Sequence, residues 1–568
     1  MPTTFYLKYN RISTYVGVAL FILLVWDILP NLGLIAKLFL FAPLVIAPLA
    51  FNSLAEETRQ GTFLPLYKAV VLAQPFCAIA TLIAFTLPQG MLAGGFASLW
   101  LLLTLMALGL GLQRWLPRGL TCKEEMFIDL SLVYFAVGGV WLVLNRMGIH
   151  PMKFDDAIVL LTAIHFHYAG FAACFLLGLV GRLFKDATVL IQKIYYLSGF
   201  LIISGIPLLA IGIAFSHFFL EVMAASALAF SLIIFSLLIF LQGIKKLKNR
   251  ISRTLLTIAA GSLIFSMALS ILYALREMDW PLQLNILQMA KTHGLLNSFG
   301  FAFCGLLAFT LEKPQPRTPP YGIPFSSFYS FKKIGPDFFQ RIHAINKKTT
   351  HPPPGIVDSM DDYQSEDFNP AGLDSKLRSF YEKTNQYSLV VEPHWTFGFK
   401  FIGKIYRQFA DQIGQMALPT SLQRDENLIE SKIVSLDDNR DGRNKVRAWI
   451  RTYANSKRAV YIAAYANHSD GRRTYMNIAF PVIGGNVTSI LRAELSKDRL
   501  RLTSLHSKKI GDEGVYFASP LFFAPIRLPI NETIEVWTTP TAVMAQHDMW
   551  FFDIKFLTLN YSIYPIEG

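Results

Sequence analysis

Asp156-Ala-Ile-Val-Leu-Leu-Thr-Ala-Ile-His165-Phe-His167-Tyr-Ala-Gly170-Phe-Ala-Ala-Cys174-Phe-Leu-Leu-Gly178-Leu-Val-Gly181 carries no carboxylate or basic side chain other than two histidines after its first residue. A bilayer-spanning helix needs about 20 predominantly apolar residues, and this run supplies them. Ionisable side chains are costly in hydrocarbon, so they face a bundle interior and mark positions with a task. A second such run is Lys291-Thr-His293-Gly-Leu-Leu-Asn297-Ser-Phe-Gly300-Phe301. Working outward on the same criterion gives about ten candidate spans: 13–30, 33–51, 66–87, 90–112, 125–145, 156–181, 194–214, 218–242, 254–275 and 287–310.

The bulk numbers agree. Of 568 residues, 53% are hydrophobic and 16% charged, against about 25% charged in an ordinary soluble chain. The apolar residues crowd the first 310 positions, and the remainder reads as a soluble domain. A net charge of +13 raises the question of nucleic acid. The basic residues lie between apolar runs, where membrane topology puts them, so nucleic acid is excluded as a partner. Cys77, Cys122, Cys174 and Cys304 show no metal-ligand spacing and imply no disulfide framework.

Lys8, Arg11, Arg59, Arg114, Arg118, Lys123, Arg182, Lys185, Lys193 and the cluster Lys245–Arg253 fall on one side of the expected spans. Arg146, Lys153 and Arg276 fall on the other. By the positive-inside rule both termini are expected in the cytoplasm, and the even number of spans agrees. With that orientation His165 lies about 13 Å into its helix at 1.5 Å per residue, and His167 about 16 Å. His293 and Asn297 share a helix face, as do Glu125 and Asp129, because residues four apart are neighbours.

His165, His167, His293, Asn297, Glu125 and Asp129 are therefore the candidates for a substrate or proton pathway. Histidine changes charge near neutral pH and suits a relay or a releasable ligand. Packing is the competing reading, since bundle histidines also hydrogen-bond neighbouring helices. His165 and His167, two apart on a regular helix, point in nearly opposite directions and cannot share one ion. No His-Glu-x-x-His, Cys-x-x-Cys, P-loop or Gly-x-Ser-x-Gly pattern is present, so no metal or cofactor is assigned.

After the last span comes Lys313-Pro-Gln-Pro-Arg-Thr-Pro-Pro320, a stiff extended spacer. The organisation expected is a helical membrane unit over 1–312, a Pro-rich linker over 313–330 and a cytoplasmic α+β domain over 331–568. Helical patterns cover 372–385 and 398–415. Short β-branched or aromatic segments follow at 445–453, 459–466, 474–480, 487–494, 499–505, 514–518, 532–538 and 554–564. Asp470-Gly471 and Gly484-Gly485-Asn486 are hairpin signals between them. The spacing predicts an antiparallel sheet or barrel. The aromatic stretch from Trp550 to Tyr561 is core or the wall of a lipid-sized cavity. Glu392, His394, Glu532, His547 and Asp548 are polar residues that no spacing joins.

Glu124 to Gly139 with Trp141, Leu161-Thr-Ala-Ile-His-Phe-His-Tyr-Ala-Gly-Phe171 and His293-Gly-Leu-Leu-Asn-Ser-Phe-Gly-Phe301 resemble the YndJ-like family of bacterial multipass membrane proteins. The resemblance implies the bacterial inner membrane and supplies no substrate or catalytic residue. The reading expected from the residues is a transporter or permease for a small molecule or lipid, with the histidines in its pathway. A membrane enzyme acting on a lipid or quinone and a membrane sensor are the alternatives. The expected partners are the lipid bilayer and a small-molecule or lipid ligand; oligomeric state is left open.

Overall fold

The computed structural model describes residues 2–28, 32–275, 285–316, 322–348, 351–417, 428–507 and 510–566. Arg276 and the Arg317–Pro320 end of the linker lie outside them. The chain divides into two compact units, Met1–Trp115 with Leu120–Tyr321, and Leu116–Gly119 with Gly322–Gly568.

The first unit is a helical bundle. Helix α1 covers Thr3–Val25. The spans that follow are α2 Leu34–Leu54, α3 Pro65–Thr86, α4 Met91–Arg118, α5 Lys123–Met147, α6 Asp156–Leu183, α7 Val189–Ala214, α8 Phe218–Lys246, α9 Arg250–Leu275 and α10 Ile286–Leu311. Among the described residues, α2 to α10 are nine helices long and apolar enough to cross a bilayer. The expected first span, 13–30, falls on α1, which begins at Thr3 and takes in Lys8, Asn10 and Arg11. Those polar residues keep α1 below the apolarity of a span, so composition supports nine spans here where the sequence suggested ten.

Both histidine motifs depart from regular α-helix. Phe166–Ala173 in α6, and Ala290–Gly294 and Leu296–Phe303 in α10, are wound as π-helix. Such wider turns are rare and recur at functional sites, because they re-aim the side chains on either side. Close packing holds α6 against its neighbour. A Cβ at Gly178 would lie 2.5 Å from the Glu124 carbonyl oxygen and 2.4 Å from Ile128 Cγ1 of α5. Gly178→Ala is expected to lower the stability of this unit by about 1–3 kcal/mol, read as a lower thermal midpoint; an unchanged midpoint would contradict the close contact.

The second unit is built on a closed antiparallel barrel. Its strands are β1 Tyr387–Trp395, β2 Leu428–Ser435, β3 Arg447–Tyr453, β4 Ala459–Ser469, β5 Thr474–Val482, β6 Gly485–Ser496, β7 Arg499–Thr503, β8 Gly514–Ala518, β9 Ile526–Arg527, β10 Ile530–Thr538, β11 Val543–Phe551 and β12 Ile554–Pro565. Ten of them follow one another as β1-β12-β11-β10-β7-β6-β5-β4-β3-β2, and β2 returns to β1. The second half of β6 pairs with β7 and its first half with β8, from which β9 continues. Leu389 faces Ile563 and Val391 faces Tyr561 across β1 and β12. All four are buried, and a one-residue slip would turn them outward, so burial fixes the register.

The expected strands from 445 to 518 correspond to β3 to β8, and 532–538 and 554–564 to β10 and β12. The expected helices at 372–385 and 398–415 correspond to α11, Ser375–Glu382, and α12, Phe399–Ile413. Strands β1, β2, β9 and β11 were not expected. The aromatic stretch from Trp550 to Tyr561 is broken by a two-residue turn at Phe552 and Asp553, whose φ values are 46° and 62°. That left-handed pair joins β11 to β12 as a tight hairpin.

Candidate functional site

In the helical unit, α2, α6, α7, α8, α9 and α10 surround a cavity of about 260 Å³. Its wall is apolar except where His165, Tyr168, Ser270, Tyr273, His293 and Asn297 meet it. His165 Nδ1 lies 2.7 Å from the Leu161 carbonyl oxygen. A carbonyl only accepts, so that contact puts the proton on Nδ1 and leaves the Nε2 lone pair for the cavity. His293 Nδ1 lies 3.0 Å from the Ser266 carbonyl oxygen and 3.0 Å from its hydroxyl. Asn297 Nδ2 donates to His293 Nε2 at 3.1 Å. Tyr168 closes its own hydroxyl on the Leu38 carbonyl, 2.8 Å away. The site thus presents two neutral imidazoles, one amide and mostly apolar walls. It can accept hydrogen bonds from a ligand and take up a proton at His165 Nε2.

His167 is elsewhere. It is fully buried, accepts from Trp100 Nε1 at 3.0 Å, and contacts the Ala163 carbonyl through Nδ1 at 2.8 Å. Phe39 and Phe135 pack edge-on to the ring at 4.9 and 5.2 Å between centroids. Both ring nitrogens are satisfied, so this histidine ties α6 to α4. The structure brings together His165, His293 and Asn297, and separates His167 from them.

Glu125 and Asp129 do not line this cavity either. They sit in a buried ionic network. Arg114 Nε is 2.6 Å from Asp129 Oδ1, its Nη2 is 3.2 Å from Glu125 Oε2, and its Nη1 is 3.2 Å from Glu56 Oε1. Arg182 reaches Glu125 through Nε at 2.7 Å and Nη2 at 2.8 Å, and Glu56 at 2.8 Å. The sequence reading treats Arg114 and Arg182 as loop charges that set orientation. Both are buried within α4 and α6. No local signal marked them: Gln113 precedes Arg114 and Gly181 precedes Arg182, as at the end of a span.

The barrel contains a larger cavity, about 500 Å³. Arg451, Glu532 and His547 are the acidic and basic residues of its lining. His547 Nε2 is 2.7 Å from Glu532 Oε2, a diagonal pair across β10 and β11 that no linear spacing reveals. Burial alone would raise the Glu532 carboxyl; the hydrogen bond and charge of His547 outweigh it and hold it below the usual carboxylate range. His394 is exposed, and Asp548 pairs with Lys555 at 2.8 Å. Among the described residues no cluster of three or more His, Cys, Asp or Glu side chains is arranged to hold a metal ion.

A model of the YndJ-like protein family matches residues 37–301, from α2 into α10, and takes in every candidate of the helical unit. The chain is also 32% identical over 476 residues to the "Uncharacterized membrane protein YndJ" of Bacillus subtilis (strain 168), with 84% of each chain covered. That alignment is longer than the helical unit and so extends into the β unit. No solved structure matches. With the histidine motifs inside the matched region and the likeness running through both units, the chain belongs to the YndJ-like family of membrane proteins.

Proposed function

We propose that the helical unit is a permease for an amphipathic small molecule or lipid, and that His165, His293 and Asn297 form its binding site. The observation that carries this is the cavity itself: two histidines from separate candidate spans, both in or beside π-wound segments, face one largely apolar space. Apolar walls with a few convergent polar groups are what small-molecule sites share. The free Nε2 of His165 gives the site a proton acceptor, which suits coupling to a proton gradient. The Lys and Arg bias supports a bacterial inner-membrane orientation with the C-terminal end of α10 in the cytoplasm; both termini lie there when α1 crosses as a tenth span. In this reading Glu125 and Asp129 serve the pathway only by holding α4, α5 and α6 together.

The test is proton movement in proteoliposomes loaded with a pH-sensitive dye and challenged with fractions of a bacterial lipid and metabolite extract. At least one fraction is expected to drive proton entry through the wild-type protein. The His165→Leu/His293→Leu protein should give no signal while keeping its thermal midpoint within a few degrees. Absence of a wild-type signal with every fraction would overturn the permease reading.

A further inference from the structure

We propose that the β barrel is a second binding site, specific for a single-chain amphiphile with a carboxylate head, and that Arg451 receives that head. The inference is independent of the permease reading, because it rests on a different unit and different residues. The barrel cavity, at about 500 Å³, lies within the roughly 300–1,000 Å³ typical of small-molecule pockets. Its wall is aliphatic and aromatic over nearly all its extent, which suits a hydrocarbon chain.

Arg451 projects from β3 into this space and is only 7% exposed. The Trp449 and Tyr461 rings lie 4.1 and 4.4 Å from its guanidinium carbon. Stacking of this kind stabilises the cation, and the Tyr465 hydroxyl accepts a hydrogen bond from its guanidinium. Nε has no hydrogen-bond partner, and among the described residues no carboxylate lies within ion-pair distance of the group. A buried cation without a counter-ion is costly, and a carboxylate that meets the fork of a guanidinium in a dry site removes that cost.

Glu532 does not meet that need. Its Oε2 is engaged by His547, and it makes no ion pair with Arg451. Arg451 is the permanent cation of the cavity, and the complement of a buried guanidinium without an ion-pair partner in an apolar pocket is one anionic head on an apolar tail. Trp395 Nε1, also on the wall and also without a partner, offers a further donor to the same ligand. Helix α12 closes part of the wall with Phe399 and Tyr406, so the cavity has an apolar rim as well as an apolar floor.

The test uses the full chain extracted in a polymer belt, with a photoreactive diazirine analogue of palmitic acid and the matching alcohol as probes. Cross-linked peptides are mapped by mass spectrometry. In the wild type the acid is expected to label peptides of β3, β4, β11 and β12 about ten- to a hundredfold more than the alcohol, the range for a hydrogen-bonded charged group. Arg451→Met should abolish that preference, and Arg451→Lys should keep part of it. Equal labelling by acid and alcohol in the wild type would overturn the proposal, as would an undiminished preference in Arg451→Met. If neither variant folds, the wild-type ratio decides alone.

Discussion

Glu125→Ala is expected to destabilise the helical unit by about 3–5 kcal/mol, the cost of breaking a buried ion pair from one side. The side chain is inaccessible to solvent. It takes both Nε and Nη2 of Arg182, at 2.7 and 2.8 Å, and Nη2 of Arg114 at 3.2 Å. Removing it leaves two buried guanidiniums short of the carboxylate they share. Glu56 and Asp129 remain, but each already holds an arginine nitrogen of its own. Buried Cys122 and Cys174 provide the readout: a thiol-reactive dye should report unfolding at a much lower temperature than in wild type. The Glu125→Ala/Arg182→Ala protein should lose less than the two single losses combined, because the partners are coupled. A Glu125→Ala protein of wild-type stability would show that the network is not what joins α4, α5 and α6.

The second large effect concerns acid. Glu532 has a carboxyl held below its ordinary value by His547. A depressed carboxylate contributes stability that is fully present above the unfolded value, about 4.3, and that is lost as pH falls through the lower folded value. Glu532→Gln should therefore cost the barrel about 1–3 kcal/mol at pH 7. The gap between wild type and variant should then narrow steadily below about pH 4.3. Asp470, Glu513 and Asp548 are held low as well, but they are present in both proteins and cancel in the difference. Denaturant midpoints of the full chain, followed by tryptophan fluorescence at pH 7 and pH 3, give that difference directly. A gap that stays constant with pH would show that Glu532 is not ionised by its contact with His547.

What the sequence made legible follows from the range of the interactions involved. Apolar runs and the β4–β5 and β5–β6 hairpin turns are local signals, and the corresponding helices and strands lie where the residues placed them. Strand β1 is different. It pairs with β12 at the far end of the chain, so only tertiary closure makes it a strand. The turn at Phe552 and Asp553 was hidden because Phe552 is not a usual left-handed residue and no glycine follows Asp553, while β11 and β12 on both sides hold it in place.

The site shows the same division. His293 and Asn297 were placed together by helix periodicity, and they do hydrogen-bond. His165 and His167 were expected to point apart, and one meets the cavity while the other packs on Trp100. Convergence of His165 with His293, the sharing of Arg114 and Arg182 by three carboxylates, and the Glu532–His547 pair all require separate elements to meet. Arg451 was invisible for another reason. An arginine in a strand reads as surface, and only barrel closure turns it inward.

In the proposed site, the cavity lined by His165, His293 and Asn297 holds an amphiphile. The most direct test is mass spectrometry of the small molecules that co-purify with the polymer-extracted full chain. Wild type is compared with Ala229→Trp, which fills the cavity from α8, and with Arg451→Met, which alters only the barrel. The expected result is an amphiphile present in near-equal amount to the protein, lost in Ala229→Trp and retained in Arg451→Met. Identical profiles for wild type and Ala229→Trp would contradict it.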